Sequence, residues 1–450
     1  MKKPNIIMIM TDDQGYADLS CIEIKGGSND FITPHIDAVA ARGARFTCMY
    51  SNSPVCSPSR ASLLTGRYPG NAGVRSILGG YRNTSGLMPD IPTAAAALKK
   101  QGYETACIGK WHLGLAPECR PTSNGFDYFY GFMAGCIDYY SHIFYWGAKT
   151  PVHDLWENDT EIYANGQYFT ELISQKAVGY IRQKAESDTP FMLYLAYNAP
   201  HYPMHAPQKY LDRFPNLPWD RQIMAAMISA VDDGVGEISA ELARLGIDGD
   251  TVIYYQSDNG PSREERNWLD GNPDPYYGGS AGIFRGHKGS LFEGGIRVPG
   301  LLCYPGKIAP GQVIDAPVAS MDIFPTLLKS VGGADVCRGY EFDGVDIMPW
   351  LDGSGGRDGR GDPHNMLFWE YGKQTAVRCG DYKLVLNGRE NGAEAEPVFL
   401  SNLADDPSEK INLAEKLPEL TAKLTGEAKE WRGGIENTWE NKFARRHGAK

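Results

Sequence analysis

Short, wholly apolar runs alternate along this chain with segments of helical periodicity. Asn5 to Met10, apolar without a break from Ile6 and closed by polar residues, has the pattern of a strand buried on both faces. Pro92 to Gln101 predicts a helix and Thr105 to Gly109 a strand. Gln167 to Ala185 predicts a second helix and Phe191 to Tyr197 a second strand. Arg221 to Leu245 has the spacing of a long amphipathic helix ended by Gly246. Strands over Thr251 to Gln256 and Gly300 to Tyr304 follow it. The alternation predicts an α/β fold, a large doubly wound mixed sheet flanked by helices. Further on, Asn365–Tyr371, Thr375–Cys379, Lys383–Leu386 and Val398–Leu400 predict a short antiparallel sheet, closed by a helix over Leu417 to Trp431. A stretch rich in Gly, Asp and Arg, Asp352 to Pro363, separates the two parts. Residues 1–355 are therefore expected to form the large domain and 356–450 a smaller C-terminal α+β domain.

The residues just past the predicted strands are the ones that bear chemistry: Asp12 and Asp13, Lys110 and His112, His201, then Asp258 and Asn259. Open α/β sheets bind ligands beyond the carboxyl ends of their strands, so this recurrence points to one shared site. Three carboxylates and an amide are hard oxygen donors, suited to Ca²⁺ or Mg²⁺ and poorly suited to zinc. Either pair taken alone also reads as a turn. The segment from Pro261 to Gly289, rich in Gly, Asn, Pro and Tyr, reads as a long functional loop.

Charge and cysteine content narrow the class. The formal net charge of −11 over 450 residues argues against a nucleic-acid partner, and an anionic ligand would need a local cluster of cations. Nine cysteines without a C-x-x-C pair favour free thiols in a reducing compartment. The apolar run after Met1-Lys2-Lys3 is too short for a secretory leader, and no segment is long enough to span a bilayer. The expectation is a cytoplasmic protein with no membrane partner, or a periplasmic or secreted one if a leader has been removed.

Cys56-Ser57-Pro58-Ser59-Arg60 places a cysteine at a predicted helix start, with Ser57 or Ser59 as the cap and Pro58 in the first turn. A helix N-terminus there would favour an anion beside Cys56. With Ala61-Ser62-Leu63-Leu64-Thr65-Gly66 behind it, the stretch resembles the C-x-P-x-R…A-S-L-L-T-G signature of the type I sulfatases, in the alkaline phosphatase superfamily. Gly109 to Gly114, Asn198 to Pro203 and Gly286 to Pro299 resemble further segments of that family, in family order. Gly125 to Gly131 and Asp138 to His142 resemble the arylsulfatase and N-acetylgalactosamine-sulfatase branch.

The resemblance implies a sulfuric ester hydrolase acting on a sulfated carbohydrate, with aryl sulfates as assay substrates. It implies that a maturation enzyme oxidises Cys56 to formylglycine, whose hydrate attacks sulfur while its proton passes toward Asp258. Ca²⁺, with Mg²⁺ as the alternative, would be held by Asp12, Asp13, Asp258, Asn259 and the matured Cys56. Arg60, Lys110 and Lys288 would hold the sulfonyl oxygens. His201, assisted by Lys288, would protonate the leaving group and His112 would take the proton of the second hydroxyl; the two histidine roles are interchangeable at this level. His142 and His205 are placed as substrate-binding residues, His142 fitting a polar loop position equally well; His205 and His287, each beside a catalytic match, are placed to line the substrate subsite. Trp146, Trp156 and Trp268 are placed to stack on sugar rings. The competing functions are a phosphodiesterase or phosphonate monoester hydrolase of the same superfamily, and a non-catalytic carbohydrate-binding relative.

Overall fold

The apolar run at the N-terminus forms strand β1 (Asn5–Thr11), and its alternate residues enter different cores. Ile6, Met8 and Met10 face one layer of helices; Ile7 and Ile9 face the other. That double burial is why the run lacks the polar alternation of a half-exposed strand. In this computed structural model the described residues are 3–22, 30–145, 151–263, 277–351, 361–390 and 394–444. Trp146, Trp268, the boundary between residues 355 and 356, and the middle of the loop expected from Pro261 to Gly289 lie outside them.

Nine more strands join β1: β2 (Ala44–Phe46), β3 (Glu104–Lys110), β4 (Tyr128–Phe132), β5 (Trp156–Glu157), β6 (Thr160–Glu161), β7 (Phe191–Ala196), β8 (Thr251–Ser257), β9 (Gly300–Cys303) and β10 (Gln312–Ile314). Their order is β10-β2-β9-β8-β1-β7-β3-β4-β5-β6. The five central strands, β8 to β4, run parallel, and antiparallel pairs appear toward both edges. This is the expected mixed sheet. Helices α1 (Pro34–Ala41), α4 (Phe169–Lys184) and α5 (Trp219–Arg244) cover one face; α2 (Cys56–Thr65), α3 (Ala94–Lys100) and α6 (Ile323–Gly332) cover the other. Register brings the strand ends level. Thr11 pairs with Ser257, Met10 with Ala196, and Ala196 with Gly109. The residues that follow therefore meet at one edge. Gly109 is required there: its φ is +110°, and a Cβ would lie 1.9 Å from the Ala196 carbonyl oxygen.

Two expectations change. Helix α2 begins at Cys56 with Val55 as its N-cap, and neither serine caps it. Ser59 Oγ lies 2.5 Å from the Asp258 carbonyl, and Ser57 Oγ accepts from the Leu78 amide at 3.1 Å. Both are drawn into tertiary bonds that hold α2 against the site. Trp156 packs within the fold: it is buried, its Nε1 donates to Asp154 at 2.6 Å, and the guanidinium groups of Arg82 and Arg120 lie over its ring.

The C-terminal part is a four-stranded antiparallel sheet, β11 (Leu367–Tyr371), β12 (Gln374–Cys379), β13 (Tyr382–Gly388) and β14 (Glu396–Asn402), with helix α7 (Pro418–Thr438) packed on it. Leu291, Phe292 and Ile296 share one apolar cluster with Trp369, Val385 and Phe399 of this sheet. At its centre Glu293, fully buried, lies 2.8 Å from Lys383 Nζ and 2.7 Å from the Tyr50 hydroxyl; Lys383 also reaches Glu409 at 3.1 Å. Removing the ammonium would leave buried Glu409 without its cation and Glu293 with Arg297 alone. Lys383→Ala is expected to cost about 3–5 kcal/mol of stability. Urea unfolding should show a markedly lower midpoint, and a wild-type midpoint would show that the cluster does not hold the two parts together.

Candidate active site

Asp12 and Asp13 leave β1 side by side with Asp258 and Asn259, which leave β8. The Asp13 amide donates to Asp258 Oδ1 at 3.1 Å, and Asn259 Nδ2 donates to Asp13 Oδ1 at 2.7 Å. Cations from three other elements meet these carboxylates. Arg60 of α2 gives Nε and Nη2 to Asp258 Oδ2 at 3.1 and 2.8 Å. Lys110, the last residue of β3, puts Nζ 2.5 Å from Asp12 Oδ2. Lys288 lies 2.9 Å from Asp13 Oδ2. Burial alone would raise the Asp12 pKa, but Lys110, His201, Arg60 and Lys288 outweigh it and hold Asp12 far below the usual carboxylate range. Asp258 moves the other way: burial and the neighbouring Asp12 charge push it up, against Arg60 and Lys110.

Cys56 sits at the first turn of α2, buried, with Sγ 3.4 Å from Asp12 Oδ1. Burial first, and Asp12 second, push its thiol well above the ordinary range, so it is a neutral thiol here. One potential ligand atom each from Asp12, Asp13, Cys56 and His201 falls within 4.8 Å of the others.

The two histidines have different protonation logic. His112 Nε2 lies 3.1 Å from the Leu78 carbonyl, which can only accept, so Nε2 carries the proton. Its Nδ1 is buried without a hydrogen-bond partner, and burial with Lys110 nearby holds the ring neutral at ordinary pH. His112 is therefore a base with a free lone pair. His201 Nδ1 lies 2.6 Å from the Tyr202 carbonyl and Nε2 lies 3.2 Å from Lys288 Nζ. The first contact places a proton on Nδ1, and Nε2 faces the Lys288 ammonium as acceptor. His201 and Lys288 form a proton-donating couple. Asp13 (φ 64°) and His112 (φ 55°) both hold left-handed backbone, at a cost of about 1–2 kcal/mol each.

These groups surround a cavity of about 240 Å³ lined by Cys56, His112, His201 and Lys288 among others. The sulfatase family model matches residues 4–333, which contain every residue of this cluster. The chain belongs to the sulfatase family. It is 30% identical to arylsulfatase J of Mus musculus, over 94% of this chain and 74% of the relative. It is 33% identical to N-acetylgalactosamine-6-sulfatase of Mus musculus, over 84% and 71%. The crystal structure of Ps i-CgsB in complex with k-i-k-neocarrahexaose superposes with a TM-score of 0.82 at 31% identity, covering 98% of this chain and 94% of that one.

Not all candidate residues of the sulfatase line its cavity. Arg60 and Lys110 have no exposed surface and direct their charges to Asp258 and Asp12. His142 is buried, with Nε2 3.2 Å from the Gln167 carbonyl and its ring against Phe169. His205 lies on Asp138 at 3.3 Å, between Tyr139 and Tyr140. The Asp138–His142 segment instead props the His201 loop: the Tyr139 hydroxyl lies 2.9 and 2.8 Å from the carbonyls of Asn198 and His201. His287 is on an adjoining cleft. Sequence reasoning missed Leu78 and Gly135. Leu78 acts through its backbone, which side-chain identity does not report. Gly135 leaves room for a ring, since a Cβ there would lie 2.8 Å from His112 Cε1.

The donor set fits a hard divalent cation. Buried carboxylate oxygens dominate it, and Asn259 Oδ1 is buried with no hydrogen-bond partner, a lone pair that otherwise costs about 1–3 kcal/mol. Ca²⁺ added to chelator-treated protein should raise Tm, by about 2.7 kcal/mol of linkage at a hundredfold excess over Kd. Asn259→Ala should shrink that shift. An equal shift in both proteins would remove Asn259 from the ligand set.

Proposed function

We propose that this sulfatase hydrolyses a sulfate monoester on a saccharide, using formylglycine made from Cys56 and Ca²⁺ held by Asp12, Asp13, Asp258 and Asn259. The observation that carries the reading is the chemical mismatch at Cys56. A thiolate would suit soft metals, yet the cysteine is a neutral thiol facing hard carboxylate oxygens. An oxygen nucleophile at the same position fits them. Two relatives whose names include saccharides support a sugar as the leaving group.

When present, the formylglycine hydrate supplies the attacking oxygen, and the metal ion supplies positive charge at the sulfonyl oxygens. The chain's own residues do the rest. Cys56 is the first residue of α2, at the positive end of its dipole, which favours an anion there. Lys288 reaches the cavity and serves the sulfate directly. Arg60 and Lys110 are positioning residues, fixing Asp258 and Asp12. Asp258, fixed by Arg60, is the group toward which the proton of the attacking hydroxyl would pass. Lys288 passes a proton to His201 Nε2, which delivers it to the leaving oxygen, and His112 takes a proton at its free Nδ1 so that sulfate leaves. Because Cys56 is buried, its maturation must precede closure of the fold.

Among the described residues no helix is long and apolar enough to cross a membrane. Among the described residues no disulfide links the cysteines.

Cys56→Ser should abolish multiple turnover of an aryl sulfate, and intact mass of the active protein should show the thiol replaced by an aldehyde. Full turnover by the serine variant would overturn the nucleophile. Faster turnover of a matched aryl phosphonate than of the aryl sulfate would move the reaction class. His201→Ala should lose about 10²–10⁴ in kcat on an alkyl sulfate and far less on a nitrophenyl sulfate, whose leaving group needs no proton. Equal losses on both would remove His201 from that role.

A further inference from the structure

A cleft of about 1150 Å³ opens beside the catalytic cavity and shares Ile77 and Lys288 with it. The catalytic cavity, at about 240 Å³, is smaller than the roughly 300–1,000 Å³ that holds a drug-sized ligand. It takes the ester and little of what carries it, so the remainder of a substrate must extend into the cleft. Three cations stand on the cleft walls: Arg263 beyond β8, Lys373 in the turn between β11 and β12, and Arg389 just after β13. All three are exposed, and none has an ion-pair partner among the described residues. Arg263 lies 5.8 Å over the Tyr277 ring. The lining acid, Glu390, is already held by Arg285 at 2.7 Å, and Arg432 is engaged by Glu370 and Glu436. On a chain of net charge −11, uncompensated positive charge in a concave site next to an anion pocket is a local focus for a second anion.

We infer that this cleft binds a second anionic group, sulfate or carboxylate, on the part of the substrate next to the ester, so that the preferred substrate is a polyanionic saccharide longer than one sugar. The inference rests on the sulfatase reading above. It places the selectivity of the enzyme on the C-terminal sheet, since Lys373 and Arg389 come from that sheet while the chemistry comes from the large one.

Three matched disaccharides test it: one monosulfated, one disulfated, and one monosulfated with a uronic carboxylate. At low salt the wild type should prefer one dianionic substrate over the monoanionic one by about tenfold or more in kcat/KM, the scale of a hydrogen bond to a charged group. The preference should shrink as salt screens it. Which dianion is preferred identifies the group. The Lys373→Ala/Arg389→Ala double variant should lose the preference, and Lys373→Arg/Arg389→Lys should keep most of it. No preference in the wild type, or a preference that survives the double alanine variant, would overturn the subsite. Sulfate release from nitrophenyl sulfate or from any of the three disaccharides reads the reaction class separately; its absence from all four would overturn the sulfatase reading itself.

Discussion

Three carboxylates are buried together at the ends of β1 and β8, and the architecture around them is arranged to make that tolerable. Unpaired, each would be expelled or protonated. Each instead has its own cation, and each cation comes from a different element: Arg60 from α2, Lys110 from β3, Lys288 from the segment that enters the C-terminal sheet. The requirement fixes which strands must neighbour which. It also fixes where α2 begins, because Arg60 can reach Asp258 only if the first turn of the helix, and so Cys56, stands over the same edge.

The same logic explains why the small sheet is integral to the site. Lys288 belongs to a segment whose far end is anchored through Glu293 to Lys383, Tyr50 and Arg297. Leu291, Phe292 and Ile296 are buried against the C-terminal strands. The loop that delivers the cation is therefore a packed segment clamped between two sheets, which limits the freedom of Nζ. Precise placement of a charge depends on such support as much as on the residue itself.

The parallel core was legible because strands buried on both faces read as continuous apolar runs, as Asn5–Thr11, Phe191–Ala196 and Thr251–Ser257 do. The short outer strands Ala44–Phe46, Trp156–Glu157 and Gln312–Ile314 were not, being two or three residues long and carrying no period. Within the site, the gathering of the carboxylates and their cations was legible because their chemistry is written in residue type and in position after a strand. What could not be read was direction. Ser57 and Ser59 look like caps in one dimension, but in three the bonds they make are to Leu78 and Asp258. His142 looks like a ligand residue, yet Gln167 and Phe169, distant in sequence, enclose it.

Direction also decides how an anion is attracted. Asp12, Asp13 and Asp258 are matched by Arg60, Lys110 and Lys288, so the protein part of the cluster is close to neutral. Two of those cations have no exposed surface and are committed to carboxylates. The cavity cannot then draw a sulfate by counting basic residues. The net positive field must come from what is not already paired: a hard divalent cation, the N-terminus of α2, and whatever part of Lys288 the substrate takes from Asp13. A neutral protein cage suits this. It lets the ion and the substrate set the charge of the complex, and it avoids a buried excess of either sign when they are absent.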